Sequence, residues 1–333
     1  MTAKDSAHFE FIIIMFKWRK LGRVFNPQDV EGIPWLNEFA QAPSVLVFDE
    51  FIRVYFSCRP KPDPCGNYVS HAAYVDLNRR NFFEKVGLAK EPVLKLGDLG
   101  TFDEFGTYPT SVIRNGSEVW AYYAGWTRCE SVPFNVAIGY AISHDEGKLF
   151  EKQGPGPILP YTSDEPFVLS GPKIRKYNNA WYLWYIAGMK WLPNHGRPEP
   201  VYRIRMASST DGLNWSKLNK NIIEPRLEEN ECQASPDVFY QNNRYHMFFC
   251  YRNSLNYRRR EGGYRIGYAY SDNIIDWTRD DQRAGIDISE AGWDSEMISY
   301  PHVFDLDGKV YMFYLGNQVG RYGFGLAVLE GEL

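Results

Sequence analysis

Four glutamates recur at one offset from proline. Glu38, Glu104, Glu231 and Glu296 each stand five residues before Pro43, Pro109, Pro236 and Pro301, while a fifth proline, Pro172, has Phe167 at that place. Carboxylates gathered in one cavity raise one another's pKa, so that one keeps its proton while its neighbour stays ionised. A proton donor beside an ionised carboxylate is what cleavage of a glycosidic bond needs: an acid for the leaving oxygen and a base or nucleophile opposite. Polar residues accompany the glutamates, namely Asn37, Gln41, Asp103, Gln233 and Asp294. Asp103 and Asp294 each follow a large aromatic residue, Phe102 and Trp293, and so also suit turn-capping carboxylates.

The elements that must bring these residues together are repeats. The five prolines open similar phrases: APSVLVFDEFIRVYF, YPTSVIRNGSEVWAYY, GPKIRKYNNAWYLWY, SPDVFYQNNRYHMFF and YPHVFDLDGKVYMFY, spaced 66, 63, 64 and 65 residues apart. Each phrase reads as a β-hairpin, with the turns Asn115-Gly116, Asn178-Asn179, Asn242-Asn243 and Asp307-Gly308 tolerating the positive φ that tight hairpins demand. A third strand follows in every unit: Ala72–Val75, Val136–Ile142, Tyr202–Ser208, Tyr264–Tyr270 and Gly323–Leu329. The phrases SHDEGKLF, SSTDGLNW and YSDNIIDW then lead to an outer strand, and their turn-plus-aromatic pattern is expected to anchor that strand to its own unit. Four strands per repeat is a propeller blade. The sequence therefore predicts an all-β, five-bladed propeller of four-stranded antiparallel blades. The last unit lacks an outer strand, and Lys17–Phe25 is expected to supply it and close the ring, removing the exposed sheet edges.

In a propeller the first strands line the axis, and the loops leading into them face the mouth of a central funnel. Antiparallel second strands end on the same face, where third strands begin. This places Trp126, Arg252 and Asn317, and then Arg203 and Arg265, near the glutamates. The cations suit either an anionic group on a ligand or neutralisation of the carboxylates. Trp126 suits either stacking on a sugar ring or covering of blade hydrophobics.

Composition narrows the classes. The 333 residues carry 16% aromatics, which fits β-structure, and a net charge of −4, which argues against a nucleic-acid partner. Five cysteines with irregular spacing fit neither a disulfide framework nor a zinc site, and read as reduced thiols of a cytoplasmic protein. No metal or cofactor is expected, and GxSxG, GxxxxGK[ST] and GxGxxG motifs are absent. The apolar run FIIIMF is too short to span a bilayer, so no membrane insertion is expected. Residues 1–15 read as an N-terminal extension to a single propeller domain over 16–333.

The repeated hairpins, together with ENECQASPDVF, YRIGYAYSDNIIDW, GWDSEMISYPHVF and GRYGFGLAVLEGEL, resemble the five-bladed superfamily of invertase, levansucrase and arabinanase enzymes. That superfamily holds glycoside hydrolase families 32, 43, 68 and 130. More narrowly, the chain is similar to bacterial glycosylase-like proteins associated with surface-polysaccharide clusters. The resemblance implies a carbohydrate or sugar-containing ligand and carboxylates on the funnel, with Glu231 as general acid and Glu38 as base or nucleophile. The match departs from the pattern in two places: Ala42 stands where an Asp usually precedes the first proline, and the Glu-Cys-Pro acid motif appears as Glu231-Cys232 with its proline displaced to 236. Hydrolysis, glycosyl transfer or phosphorolysis, and binding without catalysis all remain open at this point.

Overall fold

The computed structural model describes residues 16–333, and the extension expected at 1–15 lies outside the described residues. Five four-stranded antiparallel sheets are arranged as a propeller. The first strands are Glu38–Val47, Thr107–Asn115, Ser170–Tyr177, Glu231–Gln241 and Ser299–Leu306. Lys17–Phe25 pairs with Phe324–Glu330, Trp18 opposite Leu329, so the N-terminal strand completes blade five as expected. Among the described residues no helix is long and apolar enough to cross a membrane.

Turn chemistry sets the hairpins. Asn178-Asn179, Asn242-Asn243 and Asp307-Gly308 have both residues at positive φ, the twist-matched geometry of two-residue hairpin loops. The strands that follow are aromatic because they pack on both faces between adjoining blades: Tyr55, Tyr122, Trp184, Phe248 and Phe313 are all fully enclosed.

One expectation needs correction. The Ser/Asp turns do not anchor the outer strand only to its own blade; they clasp the preceding one. Tyr55 of blade one donates to the Gly147 carbonyl at 2.6 Å, and Tyr122 of blade two donates to the Gly212 carbonyl at 2.7 Å. Gly147 and Gly212 have φ of +82° and +79°, and a Cβ on Gly147 would lie 2.0 Å from the Tyr55 hydroxyl. Only glycine gives both the turn and the approach.

The axis is stitched by side chains. Ser44 accepts from the Val112 N–H, Ser111 from Ile174, Asp237 from Val303 and His302 from Val45, each bond crossing to another blade. Blade three places Lys173 there, whose ammonium lies 3.3 Å from the Pro43 carbonyl and 3.4 Å from that of Pro301. Just above this ring the first strands bulge. Ala42, Gly171, Ser235 and Tyr300, each preceding a repeat proline, have φ between 50° and 60°. Strand register breaks at these bulges, which re-aim the residues before them toward the funnel.

Candidate active site

The funnel encloses about 1170 Å³ and draws its lining from all five blades. Blade one supplies Gln41 and Arg59, blade two Tyr108 and Trp126, blade three Gly171 and Glu199, blade four Ser235 and Arg252, and blade five Glu296 and Tyr300. One wall is aromatic: Trp126 stacks on Tyr108 at 5.8 Å between centroids and meets Phe134 at 4.5 Å. The floor combines tyrosines with arginine. Tyr202 and Tyr264 share a 2.6 Å hydroxyl contact, and Arg252 donates to Tyr202 at 3.0 Å. Burial, only partly offset by the adjoining Arg252, holds both phenols well above their ordinary pKa, so they stay protonated donors.

The four recurrent glutamates do not form one ring. Glu296 lines the funnel. Glu38 lies behind its wall, beside a smaller cavity that it lines with Asn37, and is held by Arg321 at 2.7 Å and the Tyr68 hydroxyl at 3.0 Å. Tyr68 and Arg321 themselves face the funnel. Glu104 is outside the lining and accepts from the Gly100 N–H at 2.9 Å, closing its own loop. Glu231 is also outside it: fully enclosed, it bonds Arg279 at 2.7 Å, Gln233 at 2.8 Å and the N–H groups of Arg226 and Leu227.

The place of Glu231 follows from a device repeated in four blades. A buried carboxylate before the first strand, or at its first residue in blade four, meets a cation on the fourth strand, and in three blades also a tyrosine on the second. Asp103 contacts Tyr123 and Lys152, Glu165 contacts Tyr185 and Lys217, Asp294 contacts Tyr314 and Lys20, and Glu231 contacts Arg279, which lies over the Tyr251 ring. Asp103 and Asp294 thus brace their blades by cross-strand contacts and lie outside the funnel lining. Each carboxylate precedes its blade's tyrosine by 20 residues, a spacing visible in the sequence, whereas its distance from the proline varies.

The remaining expected residues divide. Gln41 and Arg252 join Trp126 on the funnel, Gln41 donating to the Val319 carbonyl at 2.6 Å and accepting from Arg59 at 3.1 Å. Asn317 and Arg265 act on the funnel through the chain, for Asn317 accepts from the Glu296 N–H at 2.8 Å and Arg265 donates to the Glu296 carbonyl at 3.0 Å. Arg203 donates to the Glu229 carbonyl and Gln233 to Ile223 and Glu231; neither reaches the lining. The sequence reading omitted Tyr68, Glu199, Arg321 and the floor tyrosines. Tyr300 was signalled by its place directly before a repeat proline, but the loop residues carry no periodic signal. No group of three or more His, Cys, Asp or Glu among the described residues could hold a metal ion, and all five cysteines are free.

The closed five-bladed propeller is a fold shared with proteins of known structure. The chain belongs to the family of Mycobacterium tuberculosis Rv1502, described as an uncharacterized protein, with 34% identity over 314 residues covering 94% of this chain and 99% of the relative. A β-1,2-mannobiose phosphorylase of Thermoanaerobacter is 32% identical over 109 residues, 29% of this chain and 35% of the enzyme. No family model matches. Among solved structures, a glycoside hydrolase superposes with TM-score 0.72 at 16% identity over 94% of this chain and 92% of that one. A member of the GH130 family of mannoside phosphorylases, which contains hydrolases of β-1,2 mannosidic linkages, superposes with TM-score 0.68 at 16% identity over 94% and 93%. Family 43 and family 32 glycosidases share the fold, with TM-scores of 0.62 and 0.60.

Proposed function

We propose that the protein is an enzyme acting on a glycosidic bond held in the axial funnel. The observation that carries this reading is the meeting of Glu296 with the Trp126 wall in one cavity lined by all five blades. A sugar ring lies against Trp126, and Glu296 delivers the proton to the leaving oxygen. Its backbone is fixed on both sides by Asn317 and Arg265, which limits where the carboxyl can reach. The Tyr68 hydroxyl, bonded to Glu38, takes the proton of the attacking nucleophile and passes it to that carboxylate, whose other oxygen accepts from Arg321. Five free cysteines support a reducing, cytoplasmic setting for this chemistry.

A second reading, phosphorolysis in place of hydrolysis, is favoured by the funnel's arginines, which outnumber its glutamates six to three. Inorganic phosphate then replaces water as nucleophile. Incubation with β-1,2-mannobiose and a panel of other disaccharides, with and without phosphate, tests both readings by product analysis. Free monosaccharides mean hydrolysis, a phosphate-dependent sugar 1-phosphate means phosphorolysis, and an uncleaved panel with saturable binding reduces the protein to a binding module.

A further inference from the structure

Arg252 sits at the funnel floor, 3% exposed, without a carboxylate partner. Its Nη1 donates to the carbonyls of Asn253 and Ser254 at 2.8 and 2.9 Å, and its Nη2 donates to the Tyr202 hydroxyl at 3.0 Å. Its Nε is buried and has no acceptor. Three other buried arginines are each paired with a carboxylate: Arg53 with Asp76 at 2.7 Å, Arg205 with Glu165 at 3.2 Å and Arg279 with Glu231 at 2.7 Å. Arg203, the remaining buried arginine, also lacks one, but it lies outside the funnel lining. A buried charge held only by neutral groups is costly, and the cost falls when an anion arrives.

The atoms left over match an anion's shape. Nε–H shares one edge of the guanidinium with an Nη2 hydrogen, the fork that two oxygens of a carboxylate or phosphate accept together. A second enclosed donor stands on the same lining: Ser235, 2% exposed, whose Oγ has no partner. Farther along the wall, Arg59 and Arg197 also face the funnel, and neither is ion-paired among the described residues. Positive charge therefore continues beyond the floor of a cavity of about 1170 Å³, far larger than a free phosphate ion needs.

We propose that the funnel floor is an anion subsite that seats a carboxylate or phosphate substituent of the sugar ligand on the Arg252 edge, with Ser235 as second donor. The inference rests on the funnel being the glycoside site. It adds that the preferred ligand is an acidic sugar rather than a neutral one. The Tyr257 ring lies 3.5 Å from the guanidinium carbon, a cation–π contact that leaves the in-plane N–H edge for the anion.

Calorimetric titration of the full chain tests this with four probes: a mannuronate disaccharide, mannose 1-phosphate, inorganic phosphate and neutral β-1,2-mannobiose. The account expects at least one acidic sugar to bind about ten-fold or more tighter than mannobiose. Arg252→Gln should erase that preference, and Ser235→Ala should weaken it several-fold. Equal affinity for acidic and neutral sugars, binding of inorganic phosphate alone, absence of binding by any probe, or full preference retained in a folded Arg252→Gln variant would each overturn it. Should Arg252→Gln fail to fold, an undiminished preference in Ser235→Ala overturns it instead. Turnover measured on the same samples separates the two readings. Tight binding of an acidic sugar that is never cleaved refutes the enzyme and keeps the subsite; cleavage of mannobiose with no preference for acid does the reverse.

Discussion

Glu231 and Arg279 meet at 2.7 Å inside blade four, both enclosed, and tie the first strand of the blade to its fourth. Burial works to raise the glutamate's pKa, but Arg279, Gln233 and the Arg226 N–H outweigh it and hold the carboxyl below its ordinary value. The same contacts that make it a good brace make it a poor proton donor.

Replacing Glu231 by Gln leaves Arg279 buried with one carboxylate, Asp281, in place of two. The expected cost is about 3–5 kcal/mol of folding stability, with turnover per folded molecule unchanged. Urea unfolding alongside active-site titration checks both halves. Because the folded-state pKa is depressed, the wild-type pair stabilises the fold above the unfolded value and that contribution fades as pH falls below it; the variant should lose this part of the acid dependence.

Glu296→Gln removes the proposed proton donor while keeping shape and backbone contacts. Turnover should fall by roughly 10²–10⁴ with a melting temperature close to wild type. Retained turnover would move the acid to Glu199, which also lines the funnel and lies 3.3 Å from Arg258.

Trp126→Ala strips the aromatic wall. Its indole donates to the Tyr108 carbonyl and its ring packs against Tyr108 and Phe134, so the surface is pre-formed. A lost stacking contact of about 1 kcal/mol should raise KM by roughly five- to ten-fold with a smaller effect on kcat. Steady-state kinetics on the substrate found in the panel will show which parameter moves.

The axial ring predicts the pH range of stability. Burial, partly opposed by Asp237, pushes His302 down to about 4, and its Nε2 must stay unprotonated to accept from Val45. His246 is likewise lowered to about 4, chiefly by burial. Between the ordinary histidine value and 4 the unfolded chain takes up protons that the folded one refuses, so stability falls as pH drops, by on the order of 3 kcal/mol per histidine. Lys173, lowered by burial to about 8, acts in the same sense at the alkaline end: stability rises with pH from about 8 toward the ordinary lysine value. Denaturation midpoints from pH 4 to 10 test this, and His302→Gln should remove roughly half of the slope on the acid side.

The blades were legible because each rests on local chemistry that repeats: a proline before the first strand, an Asn or Asp turn, an aromatic second strand. Even the ring closure by Lys17–Phe25 could be read, since the last unit visibly lacked a strand. The site was less legible because it depends on bulges. A residue at positive φ before the proline shifts what points inward, and the braces Asp103, Glu165, Glu231 and Asp294 stand six, seven, five and seven residues ahead of their prolines. A fixed offset of five therefore selects a brace in blade four, a loop cap in blade two and a funnel residue in blade five. Arg252 and Trp126 were found by a sturdier rule, that second strands end on the funnel face. Tyr68 and Arg321 come from loops whose lengths differ between blades, where periodicity has nothing to say, and Glu199 opens a third strand that begins three residues before the expected Tyr202.

The central claim is that residues from five blades form one sugar site on the axis. A crystal structure of the Glu296→Gln variant soaked with the best-binding disaccharide addresses it directly. The account predicts a sugar ring against Trp126 with the glycosidic oxygen within hydrogen-bond distance of residue 296. Sugar seated on the outer face of a blade, with the funnel left to solvent, would contradict it.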